Sequence, residues 1–144
     1  MAQAIATVGY EGRTLEGYLA VLKAAGVTLL CDVRRNPLSR KKGFSKKALA
    51  AACAEAGIGY QHLPELGIAS DRRQAIDSDA DRARLFAEYA RELAGHAGSL
   101  AKIASWAQTE KVALTCFERQ AAHCHRHCVA IALEREHHTT TEHL

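Results

Sequence analysis

Four short apolar runs, "QAIATVG", "VTLLCDV", "IGYQHL" and "KVALTCF", recur along the chain with amphipathic stretches between them. This alternation constrains the fold more than any other feature. A run that is apolar at successive positions needs cover on both faces, which a sheet held between two helix layers supplies. The expected fold is therefore α/β: a single three-layer domain, a Rossmann-like half, with a mostly parallel sheet of about four strands and helices on both faces.

Local signals place the helices. Thr14 caps a helix over about 15–25 that turns Leu15, Leu19, Val21 and Leu22 to the core, and Gly26 ends it. Ser45 caps a second helix through Ala56, and Gly57 stops it. Further helices are expected over about 79–95, about 99–108, and from near Ala121 to about Arg135, with 64–78 as a long polar loop. A strand order of 3-2-1-4 would put a topological switch point between strands 1 and 4, where open α/β sheets bind ligands. The domain is expected to span 1–136. The tail 137–144, rich in threonine and histidine, is expected to fray because it has little to bury.

Composition narrows the class. A chain of 144 residues suits one domain around one core, and 48% hydrophobic with 24% charged residues is globular rather than disordered. No apolar run approaches the ~20 residues of a membrane span, so no membrane partner is expected. The opening "MAQAIATVGYEGR" lacks a basic segment followed by an apolar one, so a secretory signal is not expected. Five cysteines, an odd count without framework spacing, point to reduced thiols and a cytoplasmic location.

In a parallel sheet the loops after the strands gather on one edge. Here they carry Tyr10 and Glu11, then Asp32, Arg34, Arg35, Ser39 and Arg40, then His62 and Glu65, and finally "CFERQAAHCHRHC" from Cys116 to Cys128. From Val33 to Ala54 there are seven Lys or Arg and no acidic residue. The lysines of that span read as a solvated basic loop. Arg34, Arg35, Ser39 and Arg40 read as an anion-binding set, because guanidinium groups suit bidentate contact with phosphate or carboxylate. The competing reading pairs these arginines with Asp32 or Glu11.

The cysteine-rich stretch admits several chemistries. Cys124 near a helix start, beside Arg126 and a possible base in His125 or His123, is a setting for a nucleophile. A buried Cys124 and Cys128 on a core stripe with Ala121, Ile131 and Ala132 is the bland alternative. A metal site from Cys116, Cys124, Cys128 or His125 lacks the paired short spacing of a zinc knuckle, so no metal and no cofactor is assigned. Arg126 in the first turn of a helix opposes the macrodipole by ~0.3–1 kcal/mol, which an anion over that helix end would offset. Catalytic candidates are thus Cys124, Glu118, Asp32 and His125, with Arg34, Arg35, Ser39, Arg40 and Arg126 as anion-binding residues. Tyr10, Glu11, His62 and Cys116 line the site.

Taken together, "TVGYEGRTLEGYLAVLKAAGV", "CDVRRNPLSRKKGFSKKAL", "GIGYQHLPELG" and "CFERQAAHCHR" resemble the family known as domain of unknown function 488, over about residues 5–135. The resemblance implies an intracellular single-domain α/β protein of bacteria and archaea without an established activity. The family's recurring residues correspond to Gly9, Tyr10, Gly12, Asp32, Arg34, Pro37, Ser39 and Arg40. Farther along they correspond to His62, Leu66, Gly67, Cys116, Glu118, Cys124, His125 and Arg126. Ile68 stands where the family often has a second glycine.

Three functions fit these residues. The first is an enzyme acting on a phosphate-bearing substrate such as a nucleotide or nucleic acid. The second is a non-catalytic module that binds a nucleotide or nucleic acid. The third is a metal- or redox-responsive cysteine protein. With only 6% aromatic residues, a long base-stacking platform is excluded, so a small phosphate-bearing ligand is expected over a long strand. The residues carry no signal for oligomeric state.

Overall fold

The computed structural model describes residues 3–144. Five strands form one parallel sheet: β1 (Ala4–Gly9), β2 (Leu29–Asp32), β3 (Gly59–His62), β4 (Val112–Cys116) and β5 (Thr140–His143). The helices are α1 (Leu15–Ala24), α2 (Lys46–Glu55), α3 (Ser70–Gln74), α4 (Asp79–Glu92), α5 (Ala97–Trp106) and α6 (Arg126–His137).

Side chains alternate across the sheet with a period of two, and this splits the core into two layers. Ile5, Leu29, Cys31, Val33, Val112 and Leu114 pack against α4, α5 and α6 through Leu85, Tyr89, Leu100, Ile103, Val129 and Leu133. Ala6, Val8, Leu30 and Ala113 pack on the opposite face against Tyr18 and Leu22 of α1 and Leu49 and Cys53 of α2. The three-layer α/β expectation holds, with five strands rather than about four.

The strand order is β3-β2-β4-β1-β5, not 3-2-1-4. β4 inserts between β2 and β1, with Leu30 opposite Ala113 and Thr7 opposite Leu114. All five β4 residues are buried, so the centre of the sheet is where their backbone and both faces are covered. β1 and β4 remain neighbours, and the helices that follow them, α1 and α6, lie on opposite faces. That is the arrangement of a switch point.

The tail expected to fray forms β5 instead. His138 adopts a left-handed conformation at φ 56° and turns the chain out of α6. The threonines then run beside β1, with Thr140 N–H donating to Gln3 O at 2.8 Å and Leu144 N–H to Thr7 O at 2.8 Å. Consecutive β-branched residues favour this extended pairing even where little is buried.

Two other local expectations change. The 64–78 segment is only partly irregular: a 3-10 turn, Pro64–Leu66, leads into α3. The last helix starts at Arg126 rather than near Ala121, because Cys124 is extended (φ −129°, ψ 145°) and separates a short 3-10 turn, Ala121–His123, from α6.

Candidate functional site

The loops after β1 and β4 are zipped together at the C-terminal edge of the sheet. Tyr10 N–H donates to Cys116 O at 3.3 Å, Glu11 N–H to Phe117 O at 2.9 Å, and Arg119 N–H to the Glu11 carboxylate at 3.0 Å. Gly9 permits the contact: a Cβ there would stand 1.8 Å from Glu118 O. Gly67 does the same for the turn after β3, where a Cβ would stand 2.0 Å from Arg35 N.

Asp32 and Arg34 form a buried bidentate pair. Arg34 Nη2 and Nε lie 2.7 and 2.9 Å from Asp32 Oδ2 and Oδ1, and Arg34 Nη1 donates to Phe44 O at 2.7 Å and Tyr10 OH at 3.2 Å. Asp32 also accepts from Arg34 N–H at 3.1 Å and from Tyr60 OH at 2.5 Å. Burial and that bond to Asp32 push the Tyr60 hydroxyl pKa up. His62 Nε2 lies 2.7 Å from Arg34 O and braces the same turn. Every nitrogen of the Arg34 guanidinium has an internal partner, so the pairing weighed for it is the one realised. Asp32, with its oxygens fully engaged, is a structural anchor rather than an acid or base.

Ser39 belongs to the basic loop's own hydrogen bonding. Its Oγ accepts from Lys41 N–H at 3.0 Å, and Ser45 Oγ accepts from Ser39 N–H at 3.0 Å. Ser45 stands at the N-cap of α2 without a side-chain cap bond, because its hydroxyl serves this turn. Arg35 and Arg40 are exposed.

The cysteine stretch is the chemically dense part. Cys116 ends β4 and Cys124 precedes α6, and their sulfurs are bonded to each other. Of the five thiols expected to be reduced, Cys31, Cys53 and Cys128 are free and buried. Burial pushes the Cys53 and Cys128 thiols up to about 11 and the Cys31 thiol higher still, which makes all three poor nucleophiles. Cys128 keeps the core role foreseen for it, whereas Ile131 of the same proposed stripe is 37% exposed.

His125 is buried beside Cys124. Its Nε2 lies 2.8 Å from Val33 O and its Nδ1 3.7 Å from Cys124 Sγ. A backbone carbonyl only accepts, so Nε2 carries the proton and Nδ1 presents its lone pair to the sulfur. Burial lowers the imidazole pKa to about 4, so the ring is neutral. Tyr89 of α4 meets the ring edge-on at 5.5 Å and donates its hydroxyl to Leu66 O, joining α4 to the turn after β3.

Arg126 is fully buried. Its Nη1 donates to Glu118 O at 2.5 Å and lies 3.4 Å from Cys116 Sγ, and its Nη2 donates to Arg119 O at 3.2 Å. Its backbone N–H points at Cys124 Sγ at 3.5 Å. Burial lowers the guanidinium pKa to about 10. The side chain ties the 116–119 turn to α6 and does not open onto solvent.

A pocket of about 390 Å³ lies over Cys124 and His125 and is lined also by Glu11, Glu118, His123, Ile68, Arg73, Ile76, Arg82 and Phe86. A narrower crevice of about 50 Å³ adjoins it and shares Ile68, Arg73 and His125; it is lined by Tyr10, Arg34, Arg35, Cys116 and Phe117 as well. The edge therefore brings together residues from β1, β2, β4 and α6, and Ile68 and Arg73 of the segment after His62 line both spaces. Among the described residues, Cys116, Cys124 and His125 are the one set of three whose ligating atoms all lie within 4.8 Å of one another. With the two sulfurs joined, that set is a disulfide beside an imidazole.

Residues 14–133 match the family described as domain of unknown function DUF488. The chain belongs to this family. The DUF488 residues named from the sequence sort into two groups. Gly9, Gly67, Asp32, Arg34 and His62 build the edge, while Cys116, Glu118, Cys124, His125 and Arg126 surround the sulfurs. No curated protein is significantly similar to the chain. One similar solved structure is a candidate phosphatase (DUF442) from Shewanella putrefaciens CN-32, 13% identical with a TM-score of 0.44. The match covers 90% of this chain and 64% of that one.

Sequence reasoning missed the cations that open onto the pocket. These are Arg73 of α3 and Arg82 of α4, in a DUF488 segment that reads as polar loop and amphipathic helix. Arg82 also pairs with Asp79 at 2.9 Å, and among the described residues no ion pair engages Arg73. α3 spans five residues, too few for hydrophobic periodicity to reveal it. Among the described residues no helix is long and apolar enough to cross a membrane.

Proposed function

We propose that this chain is an enzyme that binds a small anionic substrate, bearing phosphate or carboxylate, at the C-terminal edge of its sheet and acts on it through reduced Cys124. The orientation of His125 carries this reading, since its proton-bearing nitrogen faces Val33 O and its free lone pair faces the Cys124 sulfur. Arg73 and Arg82 supply the positive wall of the pocket, and Glu11 and Glu118 line it as well.

His125 is too weak a base to hold a proton in the empty pocket, because burial opposes its charge and Arg73 and Arg126 repel it. An anion beside Arg73 reverses that balance. It stabilises the imidazolium, so proton transfer from Cys124 to Nδ1 accompanies ligand entry. The Arg126 N–H at 3.5 Å then steadies the thiolate at the start of α6.

The test uses chemically reduced protein. Cys124 should alkylate with iodoacetamide well ahead of Cys31, Cys53 and Cys128, and inorganic phosphate should change that rate and raise Tm. Arg73→Ala should remove both phosphate effects. No phosphate effect on either measurement, with Cys124 as unreactive as Cys31, Cys53 and Cys128, would overturn the proposal. A non-catalytic module for nucleic acid is the second reading, favoured by exposed Arg35, Arg40, Lys42, Lys46 and Lys47 on one segment. Salt-dependent binding of an oligonucleotide that is indifferent to Cys124→Ser would select it.

A further inference from the structure

We infer that Cys116 and Cys124 are a working dithiol pair, with Cys116 resolving an adduct formed on Cys124, and that the substrate class is a low-molecular-weight disulfide bearing an anionic group. This inference rests on the anionic-substrate reading above and adds the reaction.

Three observations carry it. First, the two cysteines line different spaces. Cys124, itself buried, lines the large pocket with His125, Arg73 and Arg82, while Cys116 lines the adjoining crevice. A substrate of useful size therefore meets Cys124 first, and Cys116 stands within bonding reach of that sulfur.

Second, the bridge is not needed to close its own loop. Arg126 already bonds Glu118 O and Arg119 O, and Glu11 holds Arg119 N–H, so the 116–124 turn is secured without it.

Third, Arg126 is a completely buried cation with no ion pair among the described residues, and its Nε has no hydrogen-bond partner. A buried charge without a counter-charge is costly. Its Nη1 lies 3.4 Å from Cys116 Sγ, so a Cys116 thiolate is the counter-charge this position is built to meet. Glu118 Oε2, 3.5 Å from the same sulfur, is placed to receive the thiol proton.

The steps balance. Cys124 thiolate, its proton on His125, attacks one sulfur of RS–SR′ and forms Cys124–S–S–R. The thiolate R′S⁻ leaves and takes up the proton. Cys116 thiolate, its proton on Glu118, then attacks Cys124 Sγ. The Cys116–Cys124 bond forms, the bond to R breaks, and RS⁻ leaves with the second proton. Two electrons pass from the two thiols to the substrate, which becomes two thiols. An external dithiol restores the reduced pair by the reverse exchange.

The probe is 5,5′-dithiobis(2-nitrobenzoate), a disulfide with a carboxylate on each ring and a coloured thiolate product. Reduced wild-type protein should release two coloured thiolates per chain and end with the mass of the internally bridged protein. Cys116→Ser should release one and keep a stable adduct on Cys124. Because Cys116→Ser could misfold, peptide mapping of quenched wild-type protein gives an independent readout: a transient Cys124 adduct that gives way to the Cys116–Cys124 bridge. Arg73→Ala should slow the reaction by about tenfold with this probe and leave a neutral dipyridyl disulfide unaffected. An adduct on Cys124 that persists in wild-type protein overturns the inference while leaving Cys124 an anion-sensitive nucleophile. So does reduced protein holding stoichiometric zinc that protects both Cys116 and Cys124. Absence of any anion effect overturns the underlying reading instead.

Discussion

Two arginines are buried at the same edge of this sheet, and they are satisfied in opposite ways. Arg34 meets a carboxylate bidentately and also a carbonyl and a tyrosine hydroxyl. Arg126 meets two carbonyls and a sulfur, and among the described residues no carboxylate pairs with it. Arg34 is 7% exposed and Arg126 0%, so burial does not separate them. Their counter-charges do. A cation with a permanent anion is a fixed part of the framework, whereas one beside a sulfur acquires its counter-charge only when that sulfur is reduced. Arg34 thus holds the loop after β2 in place, and under the dithiol proposal Arg126 would couple the loop after β4 to the state of Cys116.

The sharpest way to break this contrast is to remove each cation. Arg34→Met strands the buried Asp32 carboxylate and should cost about 3–5 kcal/mol in urea unfolding. Arg34 and Arg126 behaving alike in that measurement would erase the distinction.

Acid should act through His125. The native ring stays neutral down to about pH 4, whereas its unfolded value is 6.5. The unfolded chain therefore binds the proton first. Stability is fully present above about pH 6.5 and falls as pH drops toward 4, by up to about 3 kcal/mol. His125→Gln should flatten that slope in urea melts recorded between those limits.

Arg126→Met should cost less than Arg34→Met. It orphans the carbonyls of Glu118 and Arg119 at about 1–3 kcal/mol but leaves no unpaired charge. In reduced protein the same variant should lower the alkylation rate of Cys116 at neutral pH, as its thiolate loses a cation 3.4 Å away. The smallest effect on folding belongs to Arg73→Ala, which is exposed and should change stability by no more than about 0.5 kcal/mol. Its consequence should be confined to ligand binding, read as a lost Tm shift with phosphate.

Much of the edge was legible in the sequence. Asp32 lies far from Cys116 and Arg126 in the chain, yet strand-ending positions and parallel connections bring all three to one side. Turn glycines, the Thr14 cap and short continuous apolar runs are local signals, and they survive into the structure. The β1–β4 neighbourhood was part of the expected order and holds, although the order itself does not. The place of β4 between β2 and β1 was not legible, because many orders satisfy the same connection lengths. β5 was hidden for a related reason: a polar threonine run has no hydrophobic pattern, and only the free edge of β1 makes it a strand.

The sequence by itself determined the fold class, the edge on which chemistry collects and the dense cysteine segment after β4. These rest on periodicities and caps that each act within a few residues. Tertiary structure decided which cations face inward and which face the pocket. Arg34 and Arg126 turn to Asp32 and to the 116–119 turn, while Arg73 and Arg82 are carried over Cys124 by α3 and α4. A guanidinium's direction depends on acceptors supplied from distant parts of the chain, and no local pattern encodes where those acceptors will be.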